Sequence, residues 1–193
     1  LEEYARATLT DPEGWKWCGR AWLQIPGRED SAAAALSEAL RFRPRDVAAI
    51  RLRAMARFQN RDLEGALADF DLALRTRPDE PALLNSRGVV RDSLGDYEGA
   101  LADYSESLKL REAPEVYVNR GAAHRARGFV EKALADYNRA IELNPRLADA
   151  WMNRGVARKT GGDIDGAVAD FNEALKIAPK FASIWVNLGV ALH

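Results

Sequence analysis

Three asparagines, Asn119, Asn153 and Asn187, recur in the 193-residue chain at steps of 34. Asparagine is a mediocre helix former, so helix propensity does not explain its return. Its carboxamide carries a donor and an acceptor together, which suits the N–H and C=O groups of an extended peptide. The competing reading is a bond to an adjacent helix or loop. Arg125 and Lys159 lie further along the same segments and are suited to a carboxylate. Val118 and Met152, with Val186, stand one residue before the asparagines and offer apolar contact between the amides. This set predicts a polar, mildly basic and partly apolar binding surface for a protein or an extended peptide.

A second series pairs opposite charges sixteen residues apart: Arg53 with Asp69, Arg87 with Asp103, Arg120 with Asp136 and Arg154 with Asp170. A ligand site is singular, whereas this pairing recurs, so it reads as a structural link between helices. Little in the chain suggests catalysis. The two histidines are His124 and His193, and there is no HExxH, no metal-spaced Cys/His cluster, no G-x-S-x-G and no Walker loop. Gly161-Gly162-Asp163 reads as a turn. No catalytic residue, metal ligand or cofactor is expected, and the chain does not read as an enzyme. One cysteine, Cys18, excludes a disulfide within the chain and reads as a small buried residue.

Bulk composition narrows the classes further. Lys plus Arg number 28 and Asp plus Glu 29, a net charge of -1, which argues against a nucleic-acid module. Basic residues around Arg125, Arg127, Arg139 and Lys159 are interspersed with acids, which weakens an RNA-binding reading. Apolar residues make up 47 %, too many for a disordered chain. No run of 18 apolar residues predicts a membrane span, and LEEYARATLT has no signal-peptide core, so a cytoplasmic location is expected.

The elements that must position these residues follow from a repeat. Ala32, Ala66, Ala100, Ala133 and Ala167 are each followed four residues later by Leu36, Phe70, Tyr104, Tyr137 and Phe171. Gly88, Gly121, Gly155 and Gly189 recur in phase, and Gly27, Gly95, Gly128 and Gly162 fall where a turn is needed. Pro44, Pro78, Pro114, Pro145 and Pro179 close the units. Residues 148–179 show two helical patterns around the 161–163 break. Small residues let two helix backbones approach, and the aromatic fills the space beside them; Gly155 is expected to face Ala167 and Phe171. Such pairs bury their outer faces only by stacking. No useful strand-period segment occurs, so the fold class is all-α.

Trp151, Gly155, Ala167, Phe171, Ala174 and Pro179 resemble the tetratricopeptide-repeat signature. So do Tyr117, Gly121, Ala133, Tyr137, Ala140 and Pro145, and in part Gly88, Ala100 and Tyr104. The resemblance implies a right-handed superhelical solenoid of antiparallel helix pairs covering 1–193. Full repeats are expected at 13–46 (irregular), 47–80, 81–113, 114–147 and 148–181. Residues 1–12, with Tyr4, Ala7 and Pro12, would be the second helix of a preceding repeat, and 182–193 the first helix of a following one. Both ends then stop mid-repeat, and the chain is expected to be excised from a longer protein. Trp151 and Trp185 fall in core slots, while Trp17, crowded between Trp15 and Trp22, is the one suited to a surface. The stems of Arg91, His124 and Arg158 are expected to pack while their heads reach water.

First helices of this family line the concave groove, which would put the asparagine row there as a peptide-binding ladder. A subclass clamps a terminal carboxylate with lysine and asparagine, but here Glu115 and Asp149 stand where that clamp places lysine. The expected function is a non-enzymatic scaffold for a protein or extended peptide, with no membrane partner. The alternative is a structural or self-associating segment, with the apolar end helix around Ile184, Trp185, Leu188 and Leu192 packing on another copy.

Overall fold

A computed structural model describes residues 11–191; Tyr4, Ala7, Leu192 and His193 lie outside them. Eleven α-helices are found among the described residues. They fall into two compact units divided between Leu94 and Gly95.

The first unit holds α1 (Pro12–Trp22), α2 (Glu29–Phe42), α3 (Val47–Gln59), α4 (Leu63–Thr76) and α5 (Pro81–Ser93). The second holds α6 (Tyr97–Leu110), α7 (Pro114–Ala126), α8 (Val130–Leu143), α9 (Ala148–Thr160), α10 (Ile164–Ile177) and α11 (Ala182–Ala191). Within each unit, consecutive helices pack on one another, and first helices of successive pairs also touch: α1 with α3, α7 with α9, and α9 with α11.

Local chemistry sets the helix boundaries. Asp11, Asp46, Asp62, Asp96 and Asp163 each accept backbone N–H bonds from the turn they precede. Proline opens α1, α5 and α7, where its missing N–H leaves no bond unmade. Pro12 starts α1 behind its Asp11 cap. The turn glycines Gly27, Gly95, Gly128 and Gly162 all have φ between +79 and +88. Arg61 fills the corresponding turn after α3 at φ +64, a conformation that costs a side-chain-bearing residue about 1–2 kcal/mol.

Glycine and aromatic meet as the spacing predicts. A Cβ on Gly155 would stand 2.7 Å from the Phe171 ring, and one on Gly121 2.6 Å from the Tyr137 ring. Phe70, Tyr104, Tyr137 and Phe171 are almost wholly buried. Trp151 is half-buried, and its indole N–H donates to the Pro145 carbonyl at 2.9 Å. Trp185 repeats that bond to Pro179, yet the residue is 55 % exposed, so it does not fill a core slot. The indole is tethered at one end, and no second helix covers the rest of it among the described residues.

The sixteen-residue charge pairing is structural. Arg53, Arg120 and Arg154 each grip an aspartate of the paired helix with two bonds of 2.6–3.0 Å, to Asp69, Asp136 and Asp170. Arg87 bonds Asp71 of the preceding helix at 2.7 Å. Asp69 and Asp170 each receive a second arginine: Arg57 reaches Asp69 at 2.9 Å, and Arg158 reaches Asp170 at 3.0 Å. The Arg158 head is thus drawn inward, contrary to the expectation that it reaches water, because a buried carboxylate needs its lone pairs met.

In the α7–α8 pair the second arm is His124. Its Nε2 is 4.0 Å from Asp136, and its Nδ1 is buried without a hydrogen-bond partner. Burial pushes the imidazole below its usual 6.5; Arg120, Lys132 and Arg127 act the same way, and Asp136 opposes them. The native state therefore favours neutral His124. This contribution is complete above the unfolded pKa of 6.5 and is lost as pH falls through the lower native value. Urea titrations from pH 7 downwards should show an acid-side loss of stability that His124→Arg reduces, since arginine restores the two-armed clamp. An unchanged pH profile in that variant would refute this account of His124.

Candidate functional site

In the second unit, α7, α9 and α11 are the first helices of their pairs. On α9, Arg154 and Gly155 face α10, through Asp170 and Phe171. At 100° per residue, Asp149, Met152, Asn153, Val156 and Thr160 occupy the opposite side. None of these five is buried. The packing that holds the pair together thus leaves one stripe of α9 unburied.

Asn153 donates from Nδ2 to the Asp149 carbonyl at 2.8 Å, and Asn187 repeats the bond to Ser183 at 3.0 Å. The bond fixes the side chain against its own helix and uses one of the amide's two N–H groups. The other N–H and Oδ1 remain for a ligand. Both residues are half-buried, as is Asn119, which already has an interaction of its own. The structure thus gives Asn153 and Asn187 the same bond to their own helices.

The other expected residues divide. Met152 is half-buried and receives a hydrogen bond from Ser183 at 3.4 Å to its sulfur. Val118 is only 9 % exposed and packs with Ala133, Tyr137 and Ala140, so it serves the core and offers a ligand little surface. Val186, its counterpart on α11, is 64 % exposed. Arg125 and Lys159 are half-buried and form no ion pair among the described residues, and the Arg125 Nε is buried without a partner. Six residues separate each cation from its asparagine, which puts them on opposite margins of the stripe, about 120° apart around the helix.

Sequence reasoning missed one residue of this slot. Counted back from Gly19, the packing glycine of α1, the asparagine position falls on Trp17, which is 65 % exposed. The step from α1 to α3 is 35 residues, not 34, because the turn before α2 is irregular. Counting on second helices hides that shift.

The described residues contain no group of three or more His, Cys, Asp or Glu arranged to hold a metal ion. No helix among them is long and apolar enough to cross a membrane. Cys18 is free and only half-buried, where a small buried residue was expected.

Two family models match the chain. One for the TPR repeat matches residues 121–161 and 158–193, and one for the tetratricopeptide repeat matches residues 26–81 and 51–116. No curated protein sequence matches significantly. Several solved structures share the fold at low identity. PilW, described as a widely conserved type IV pilus biogenesis factor, superposes with a TM-score of 0.84 at 17% identity, over 96% of this chain and 87% of its own. TTC0263, a thermophilic TPR protein of Thermus thermophilus, gives 0.78 at 21% identity, over 94% and 99%. YrrB, described as a TPR protein with an unusual peptide-binding site, gives 0.69 at 19% identity, over 95% of both chains. The helix pairs, their glycine–aromatic contacts and the two matching models lead to one conclusion: the chain belongs to the tetratricopeptide-repeat family.

Proposed function

We propose that the chain is a non-catalytic scaffold that binds an extended peptide or the extended segment of a partner protein on the first-helix stripe of its second unit. Membership of a family of interaction scaffolds supports this, as does the fold shared with a TPR protein whose description names a peptide-binding site. The observation that carries the reading is the matched pair Asn153 and Asn187, each bonded to its own helix and each retaining an acceptor and a donor. Helices in contact lie about 8–10 Å apart, and an extended peptide advances about 3.3 Å per residue. The two amides therefore suit backbone groups about three residues apart. Met152 and Val186 take apolar side chains between them, and Lys159 and Arg125 at the margin take an acidic one.

Selection from a soluble peptide library should enrich extended ligands for this unit. Replacing Asn153 and Asn187 together by alanine should weaken them about tenfold, from about 0.5–1 kcal/mol per lost hydrogen bond, with the helical spectrum unchanged. Unaltered affinity would remove the asparagines from the binding account.

A second reading, self-association through α11, is favoured by one feature. A Cβ on Gly189 would meet nothing within 4 Å, whereas the corresponding glycines Gly121 and Gly155 are filled by Tyr137 and Phe171. Trp185 and Val190 beside it are 55% and 59% exposed. An apolar side chain from a second copy would seat in this open notch. Light scattering over a dilution series should then show a dimer that Gly189→Leu, which fills the notch, converts to monomer. A monomer at every concentration would reject self-association.

A further inference from the structure

The slot that carries asparagine in the second unit reads Trp17, Leu52 and Ser86 in the first, and it is apolar at the first two of these positions. On α1 and α3 it belongs to matching stripes, offset by 35 residues: Lys16 and Arg51, Trp17 and Leu52, Arg20 and Met55, Gln24 and Gln59. These residues line a groove of about 330 Å³ between the two helices. Trp17 is 65 % and Met55 37 % exposed along it. A tryptophan and a methionine left open on facing helices form an apolar floor that has no partner among the described residues of the unit.

The charges on this floor are unbalanced. Lys16 is neutralised by Glu13 at 2.8 Å and Asp46 at 2.9 Å. Arg43 also bonds Glu13, which leaves that carboxylate fully engaged. Arg20 and Arg51 are exposed and have no carboxylate at ion-pair distance among the described residues. The Arg20 guanidinium lies 5.8 Å from the centre of the Trp17 ring. A guanidinium held against an indole keeps its in-plane N–H groups free, and that edge matches a carboxylate. Gln24 and Gln59 add amide groups at the far end of the groove, suited to a peptide backbone.

We propose that the α1–α3 groove is a docking surface for an acidic peptide segment carrying one large apolar side chain. The apolar side chain lies against Trp17, Leu52 and Met55, and carboxylates on either side of it meet Arg20 and Arg51. Charge complementarity selects this occupant: the groove carries two uncompensated cations around an apolar floor. A single-stranded nucleic acid would also stack on Trp17, but holding its backbone takes a continuous row of cations, which Arg20 and Arg51 alone do not make. The proposal extends the scaffold reading to the first unit and does not depend on the asparagines of the second unit.

Fluorescence anisotropy tests it with a short fluorescein-labelled peptide of Asp and Glu around a single Leu. Two controls are the same peptide with Ser for Leu, and with Asn and Gln for the acids. The acidic Leu peptide should bind at least about tenfold tighter than either control. Trp17→Ser and Arg51→Glu should each weaken it about tenfold, as exposed positions that leave the helical spectrum intact. Raising the salt from about 0.05 to about 0.5 M should weaken binding to the parent and have less effect on Arg51→Glu. Asn153→Ala should leave it unchanged, which separates this groove from the asparagine stripe. Equal binding of the three peptides, insensitivity to both substitutions, or displacement of the peptide by a mixed-sequence oligonucleotide at lower concentration would each overturn the proposal.

Discussion

The rotation of each first helix about its own axis is the constraint on which the surface chemistry depends. On α9, Arg154 and Gly155 are adjacent, and both are committed to α10. The arginine holds the buried Asp170, and the glycine admits the Phe171 ring at a distance that no side chain would tolerate. A clamp and a close contact on neighbouring residues leave the helix no freedom to roll. Asn153 and Met152 are then directed to the opposite side by helical geometry alone. Arg120 with Gly121 repeats the device on α7. Arg53 makes the same clamp on α3, where Ala54 replaces the glycine and is fully buried.

The clamp is better regarded as a setting of register than as a source of net stability. Asp170 is 1 % exposed, and desolvating a carboxylate offsets much of what its two arginines return. What the clamp excludes is a rotated helix, because rotation would leave a charge buried and unpaired. The α7–α8 pair departs from the scheme by using a neutral imidazole where its neighbours have a guanidinium. Its aspartate then depends on Arg120, with Ser105 bonded to the far side of the same guanidinium. The ladder position shows a similar division of labour along the chain: amides on the second unit's first helices, and Trp17 and Leu52 on the first unit's.

Much of the fold was legible because the signals are local or periodic. Turn glycines with positive φ, aspartate caps and the small-residue–aromatic pairing are each fixed by a few residues and recur in phase. The one-to-one pairing of Arg53, Arg120 and Arg154 was legible by its sixteen-residue spacing. The second guanidinium on Asp69 and Asp170 was not, since it depends on how far a side chain at the next turn reaches inward. The asparagine row was visible, but its bond to the i−4 carbonyl depends on a rotamer. Val118 was read as open because its slot is open on α9 and α11, whereas packing around α7 covers it. Trp17 was singled out by crowding, but its equivalence to the asparagines was hidden by the irregular first turn.

Side-chain nitrogen NMR with a soluble gadolinium chelate tests the rotation most directly, because it reads both faces of α9 at once. The account predicts that the Asn153 Nδ2 resonances broaden strongly, while the Arg154 Nε–H, bonded to Asp170, stays sharp and exchanges slowly. A sharp Asn153 amide together with a broadened Arg154 Nε–H would mean that the helix presents the opposite face, and the binding stripe described here would not exist.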